Sequence, residues 1–139
     1  MKRVIFIGTH NSARSQMAEG LLRDIYGKDY EAFSAGTMAT EVHPFAVEAM
    51  KEVGIDIAKA RSKGITEFLD KKFDFVITVC DRARAACPFF PASARNLHVG
   101  FEDPAGIEGA DEAKLQKFRQ VRDEIKSWIN EFFDKRDAS

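Results

Sequence analysis

The sequence predicts an α/β fold of the flavodoxin-like kind, a three-layer sandwich around a four-stranded parallel sheet. Short apolar runs alternate with longer segments in which apolar residues recur every three or four positions, as in a parallel sheet with helices on both faces. A polar loop, residues 8–15, joins the first strand to the first helix. Right-handed crossovers favour the strand order 2-1-3-4, with ligands bound beyond the carboxyl ends of the strands.

Each element follows from the local spacing of apolar residues. The run over residues 4–7 forms the first strand, and Gly27 is a natural stop for the first helix. Pro44 suits the first turn of the second helix, and Gly54 follows its apolar stripe. The predicted elements are strand 3–7, helix 14–26, strand 30–34, helix 44–53, a short helix 65–70, strand 73–79, strand 96–99 and helix 111–134.

The last helix has a stripe of large apolar residues that we interpret as core and not as a cofactor site. The stripe consists of Leu115, Phe118, Val121, Ile125, Trp128, Ile129 and Phe132.

Composition predicts one compact domain over residues 1–139. The chain is 45% hydrophobic and has no long Pro/Gly/Ser-rich stretch. Its formal charge of -1 gives no global positive field for nucleic acid or anionic lipid. The first apolar run is too short for a signal peptide, and no segment approaches the length of a membrane span. We therefore expect a cytoplasmic monomer that binds neither nucleic acid nor a membrane.

The two cysteines, Cys80 and Cys87, are too few for a disulfide scaffold. Buried thiols, metal ligands and redox groups all remain open for them at this point. A zinc site with His43 and His98 is a minor alternative, because the two cysteines lack the usual short ligand spacing. Arg82 and Arg84 lie between them and would favour a thiolate nearby.

The loop over residues 8–15 has the features of an anion site. Amide N–H groups in such a loop and in the first helical turn lack intrahelical partners, and the helix dipole favours negative charge there. Arg14 adds a planar guanidinium suited to a tetrahedral oxyanion. The residues expected to bind the anion are Thr9, His10, Asn11, Ser12, Ala13, Arg14 and Ser15.

Two known loop patterns compete for this segment. The nucleotide P-loop has the right length, but Ala13 and Arg14 stand where it requires Gly and Lys. The pattern C-x5-R-[ST] of the low-molecular-weight tyrosine phosphatases and the thioredoxin-coupled arsenate reductases matches residues 9–15. Only Gly8 departs from it, at the position of the nucleophilic cysteine.

Over nearly its whole length the chain resembles a thioredoxin-coupled arsenate reductase of the low-molecular-weight phosphatase superfamily. Besides residues 9–20, matching blocks occur in the same order along the chain. These blocks are Ser34-Ala35-Gly36, Val79-Cys80, Cys87-Pro88 and the stretches 100–106 and 118–125.

The resemblance implies a three-cysteine relay. In the family, the loop cysteine attacks arsenate, a second cysteine attacks that adduct and releases arsenite, and a third takes over before thioredoxin reduces the final disulfide. By motif, Cys80 matches the second thiol and Cys87 the third. Thioredoxin is the implied partner, and neither a cofactor nor a metal is implied.

The resemblance also implies roles for residues in the loop and for Asp103. Arg14 matches the clamp on the oxyanion, and Asp103 matches the general acid that protonates a leaving oxygen. Asn11 and Ser15 match residues that hold the loop and help to lower the pKa of the nucleophile.

Gly8 has no side chain, so we expect this chain to be inactive in arsenate reduction and in phosphotyrosine hydrolysis. Anion binding should be retained or improved, because the thiolate's negative charge is absent. Since the relay cysteines are intact, an engineered knockout is favoured over a natural pseudoenzyme. Without the resemblance, a glycine required by a tight strand-to-helix turn would be the better explanation.

Lys63 is a second departure from the family pattern. It lies where some members have an acidic ligand for a potassium ion near Asn11, Glu19 and Ser34. We expect Lys63 to pair with Glu19 and the fold to be insensitive to potassium.

Two other functions remain open. A tyrosine phosphatase shares the loop and Asp103, but does not need the cysteine pair and usually has aromatic residues where Ala105 and Gly106 stand. A non-catalytic oxyanion-binding protein would have Gly8 in its natural gene. The arsenate reductase is preferred.

Overall fold

A computed structural model describes residues 1–79 and 95–137. These residues form four strands, β1 (Lys2–Gly8), β2 (Tyr30–Gly36), β3 (Phe75–Thr78) and β4 (Arg95–His98). They form one parallel sheet in the order β2-β1-β3-β4, as the sequence predicts. The helices among these residues are α1 (Arg14–Tyr26), α2 (Pro44–Lys51) and α3 (Asp111–Asp137), with short 3-10 helices at Ile65–Phe68 and Pro104–Gly106.

The strand register brings the carboxyl ends of the strands to one edge. Gly8 at the end of β1 pairs with Gly36, and Ile7 pairs with Thr78, which in turn pairs with His98. The loop that follows β1 therefore lies beside the segments that follow its neighbours, where ligands bind in open parallel sheets.

The two faces of the sheet are covered unequally. Val4 and Phe6 on β1 face the main core, which also receives the buried sides of α1, α2 and α3. Ile5 and Ile7 face the other way, into a smaller cluster closed by the 3-10 helix Ile65–Phe68. Within the described residues, the second helical layer of the expected sandwich is thus this short helix alone.

The C-terminal helix supplies much of the main core. Phe118, Val121, Ile125 and Ile129 are buried, as the sequence indicates. Phe133 is also fully buried, whereas Trp128 and Phe132 are only partly buried and stack on each other with ring centroids 5.0 Å apart. The apolar stripe therefore continues to Phe133, one residue beyond the predicted stripe.

Helix α2 ends two residues earlier than predicted. Gly54 has φ 82°, and the N–H of Ile55 donates to the carbonyl of Met50, which turns the chain away from the helix axis. Val53 is therefore 37% exposed and not part of the buried stripe. The 3-10 helix is likewise shorter than the predicted helix 65–70.

Among the described helices, none combines the length and apolar character that a membrane span requires.

Candidate oxyanion-binding site

The loop between β1 and α1 encloses a small cavity at the carboxyl edge of the sheet. Residues 8–15 line it together with Asp103 and Ala105, and its volume is about 60 Å³. The structure therefore brings together all the loop residues predicted to bind an anion and the predicted general acid, which lie about 90 positions apart in the chain.

The carbonyl groups of the loop are held from outside the cavity. The donors come from two neighbouring segments, residues 37–43 and Ser62. The bonds run from Thr37 N to Gly8 O (3.2 Å), Met38 N to Thr9 O (2.8 Å), Thr40 N to His10 O (3.2 Å), Ser62 Oγ to His10 O (2.9 Å) and His43 N to Ser12 O (2.8 Å).

The amide groups of the loop are consequently turned inward. In a planar trans peptide the C=O and the following N–H point in opposite directions. Outward carbonyls at Thr9, His10 and Ser12 therefore direct the next N–H groups toward the cavity. Among the described residues, none accepts a hydrogen bond from the backbone N–H groups of residues 10–15. This arrangement, at the N-terminus of α1, suits an anion.

Asn11 fixes the shape of the loop. It is the one described non-glycine residue with positive φ, 51°, a conformation that asparagine tolerates better than most residues. Its Nδ2 donates to Ser15 Oγ (2.8 Å), and its Oδ1 accepts from Gln16 Nε2 and from Lys63 N, both at 2.8 Å. The Asn11 side chain thus links the first turn of α1 to the backbone of Lys63.

Gly8 is not required by the backbone. Its φ lies outside the left-handed region, and a Cβ there would lie 3.1 Å from Ser15 Oγ and 3.7 Å from a methyl carbon of Val79. The φ of Gly8 therefore gives no reason for a glycine at this turn, while a Cβ would make a close contact with Ser15. A side chain at position 8 would point toward Ser15, at the floor of the cavity.

Gly36 is the glycine that the loop does require. A Cβ there would lie 2.8 Å from both Asn11 N and Thr9 O, which are backbone atoms. The end of β2 therefore packs directly against the loop. In the sequence, Gly36 stands only as the last residue of the matching block Ser34-Ala35-Gly36, with no predicted role.

Arg14 and Asp103 lie at the mouth of the cavity. Arg14 Nη1 donates to the carbonyl of Phe101 (2.9 Å), and Nη2 is 3.8 Å from Asp103 Oδ2. Asp103 Oδ1 accepts from the N–H of Ala105 at 3.0 Å, at the start of the 3-10 helix Pro104–Gly106. The Asp103 side chain is 52% exposed, so its carboxyl is in contact with solvent at the mouth of the cavity.

Glu19, Ser34 and Lys63 form a polar cluster behind the loop. Ser34 Oγ donates to Glu19 Oε1 (2.5 Å), and Lys63 Nζ lies 3.5 Å from the same oxygen. Lys63 Nζ also donates to the carbonyl of Arg61 at 2.8 Å. Burial lowers the pKa of Lys63, and the negative charge of Glu19 opposes this shift. The expected pairing of Lys63 with Glu19 is present.

Comparison with known proteins identifies the family. The model of the low molecular weight phosphotyrosine protein phosphatase family matches residues 3–138. The chain belongs to this family.

The relatives of this phosphatase-family chain include arsenate reductases. The arsenate reductase of Halalkalibacterium halodurans is 47% identical over 131 residues, which are 94% of either chain. A solved arsenate reductase in the oxidized state has a TM-score of 0.81 at 33% identity, covering 97% of this chain and 98% of that chain.

Two further solved structures bear on the choice of activity. The thioredoxin-dependent arsenate reductase of Corynebacterium glutamicum has a TM-score of 0.76 at 32% identity, covering 97% of this chain and 61% of that chain. A low molecular weight protein tyrosine phosphatase from T. tengcongensis has a TM-score of 0.79 at 31% identity, covering 97% and 99%. The fold alone therefore does not separate the two activities.

Besides Gly36, two further supports of the loop in this phosphatase-family chain, Gln16 and His43, were not predicted from the sequence. Gln16 is 1% exposed, and its Nε2 bridges Asn11 Oδ1 and the carbonyl of Arg61 (2.9 Å). A buried amide in the first turn of an apolar helix is a weak signal, since its partner lies in a distant segment.

His43 is the second missed residue, considered only as a zinc ligand. Its backbone N–H holds Ser12 O, its Nδ1 accepts from Phe45 N (3.1 Å) to cap α2, and its ring lies 4.7 Å from that of Phe118. Burial lowers the pKa of His43, the Asp103 carboxylate opposes this, and Lys114 adds to it. His10, by contrast, is exposed and lies 3.3 Å from the carbonyl of Met38, so it helps to shape the loop.

The predicted relay thiols, Cys80 and Cys87, lie outside the described residues. Within residues 1–79 and 95–137, no group of three or more His, Cys, Asp or Glu side chains could hold a metal ion.

Proposed function

We propose that this chain is an arsenate reductase scaffold that lacks its nucleophile, and that it binds arsenate or phosphate without turning it over. The observation that carries the proposal is the geometry at Gly8. A side chain there would enter the cavity floor, under inward-facing amides and beside Arg14. The site therefore has the parts of an oxyanion-binding nucleophile loop, except the nucleophile.

The binding chemistry rests on the loop. Amide N–H groups of residues 10–14, the N-terminus of α1 and the Arg14 guanidinium all favour a tetrahedral anion. A cysteine thiolate at position 8 would repel that anion, so its replacement by glycine keeps or improves affinity. Glu19, Ser34 and Lys63 support the loop from behind, and the Lys63 ammonium replaces any need for potassium.

The chemistry of the complete enzyme follows the family's relay. A thiolate at position 8 would displace an oxygen of arsenate as water, with Asp103 as the proton donor. Attack of the Cys80 thiolate on that sulfur would release arsenite, reducing arsenic by two electrons as a disulfide forms. Attack by Cys87 would move the disulfide to Cys80 and Cys87, where thioredoxin reduces it. Gly8 blocks the first step and hence the rest.

Two considerations favour a reductase over a phosphatase. The relative at 47% identity is an arsenate reductase, and one structural neighbour is described as thioredoxin-dependent. Ala105, which has no ring to grip an aryl phosphate, lines the cavity mouth.

The family match over residues 3–138 supports a single domain. Thioredoxin-coupled chemistry needs a reducing compartment, which supports the cytoplasm.

The test is to restore the nucleophile. We expect Gly8→Cys to reduce arsenate with thioredoxin, thioredoxin reductase and NADPH, while the unaltered chain and Gly8→Ser, which fills the space without a thiolate, remain inactive. Adding Cys80→Ser or Cys87→Ser to Gly8→Cys should abolish turnover. Arsenite formation is followed by chromatography. Arsenate reduction by the unaltered chain would refute the proposal, and efficient aryl phosphate hydrolysis by Gly8→Cys that does not need Cys87 would favour the phosphatase.

A further inference from the structure

Ser15 lies at the floor of the cavity, next to Gly8. The residue is only 1% exposed, yet it lines the cavity. Its Oγ is 3.1 Å from the position that a Cβ on Gly8 would take. The hydroxyl therefore borders the space that a side chain at position 8 would occupy.

The hydrogen-bond partners of Ser15 leave its hydrogen available. Ser15 Oγ accepts from Asn11 Nδ2 at 2.8 Å, and Asn11 is itself fixed by Gln16 and by Lys63 N. A serine hydroxyl has one hydrogen to donate in addition to its acceptor capacity. Among the described residues, none accepts a hydrogen bond from Ser15 Oγ. The Asn11 amide thus orients an oxygen whose hydrogen is directed away from it.

We propose that in this chain the Ser15 hydroxyl is a direct ligand of the bound oxyanion. Without a side chain at position 8, an arsenate or phosphate settles toward Gly8, and one of its oxygens accepts the Ser15 hydrogen. A side chain at position 8 would cover this hydroxyl, so glycine converts Ser15 from a support of the loop into a binding residue. This inference rests on the proposed oxyanion binding and deepens it.

Removing the Ser15 hydroxyl should lower the affinity for the anion considerably, because Ser15 is buried. A hydrogen bond to a charged acceptor in such a site is strong, and its loss lowers affinity by roughly tenfold to a hundredfold. The effect should depend on what stands at position 8, and a merely structural role of Ser15 would not have this dependence.

The experiment is a double-mutant cycle measured by calorimetric titration with inorganic phosphate at low salt. The proteins are the unaltered chain, Ser15→Ala, Gly8→Ala and the double variant Gly8→Ala/Ser15→Ala. Gly8→Ala covers the hydroxyl without adding charge. We expect Ser15→Ala to lose about tenfold or more in affinity beside Gly8, but little beside alanine. Ser15→Thr, which keeps a hydroxyl, should restore most of the affinity.

Two results would overturn the inference. One is an equal loss from Ser15→Ala in both backgrounds, which would mean that Ser15 only supports the loop. The other is an affinity of Gly8→Ala equal to or above that of the unaltered chain, and this readout does not require Ser15→Ala to fold. Absence of phosphate binding by the unaltered chain would instead refute the proposed function.

Discussion

At the scale of single residues, Asn11 links the anion site to the rest of the molecule. The Asn11 backbone has a positive φ, and its side chain is hydrogen-bonded to Ser15, Gln16 and the backbone of Lys63. The loop therefore cannot change shape without breaking buried hydrogen bonds. Such bonds give the amides a fixed orientation before any anion arrives. Preorganised donors of this kind bind without the energetic cost of ordering the loop.

His43 gives the free protein a pH dependence. Its Nδ1 can cap α2 only when unprotonated, and burial lowers its pKa from 6.5. The folded chain therefore binds this proton less readily than the unfolded chain, so the stabilisation is present above pH 6.5 and is lost as the pH falls below it. A lost cap costs about 1 kcal/mol.

The matched variant is His43→Asn, because asparagine caps helices without titrating near neutrality. Thermal melts of both proteins should diverge as the pH is lowered from about 7.5 to about 5, with the unaltered chain losing more stability. The unaltered chain and His43→Asn have the same carboxylates. The difference between their melting temperatures therefore excludes the pH dependence that the carboxylates cause in both. Parallel melting curves across this range would contradict the role given to His43.

At the scale of elements, the end of β2 and the segment after residue 60 form the wall behind the loop. Gly36 N donates to Lys63 O at 2.8 Å, and Gly36 forms an isolated bridge with Gly64. The same β2 end touches the backbone of Thr9 and Asn11. The end of β2 and the loop backbone are therefore in direct contact, so a side chain at position 36 would press on the loop.

Two glycines on this wall make a matched pair. We expect Gly36→Ala to destabilise the protein by about 1–3 kcal/mol and to weaken phosphate binding, because the added methyl must displace loop backbone. Gly64→Ala should change both quantities little, since its Cβ would meet only Thr66 Oγ1 at 3.7 Å and its φ of -83° suits any residue. Denaturant unfolding and phosphate titration measure the two effects. Equal effects of both substitutions would show that the contact at Gly36 is not what shapes the loop.

Prediction of the elements from sequence succeeded where burial is periodic and failed where the chain turns. The alternation on β1 and the stripe on α3 identify a strand and a helix because each buries a regular face. The end of α2 was missed because Val53 continues the apolar spacing while Gly54 already reverses the chain. The spacing of apolar residues does not show where the last backbone hydrogen bond of a helix is formed.

At the scale of the whole molecule, the sheet order explains why the site could be located from sequence. Parallel strands place all their carboxyl ends on one edge, so residues 8–15 and Asp103 converge although they are far apart in the chain. The supports at Gly36, Gln16 and His43 could not be found in this way. Their partners are Asn11, Arg61 and Ser12, and no local pattern in one sequence pairs them.

The whole molecule has a formal charge of -1, so attraction of an anion must come from the local arrangement around the loop. Arg14 is the one cationic side chain among the described residues lining that cavity. Arg23 lies elsewhere and is paired with Glu19 at 2.5 Å. Truncating each arginine therefore separates local anion recognition from general charge.

Calorimetric titration of the unaltered chain with inorganic phosphate at low ionic strength tests the central claim most directly. We predict saturable binding to one site, retained in Arg23→Ala and weakened by about tenfold or more in Arg14→Ala. Absence of binding at low salt, or equal binding by Arg14→Ala and Arg23→Ala, would contradict the claim that this loop recognises a tetrahedral oxyanion.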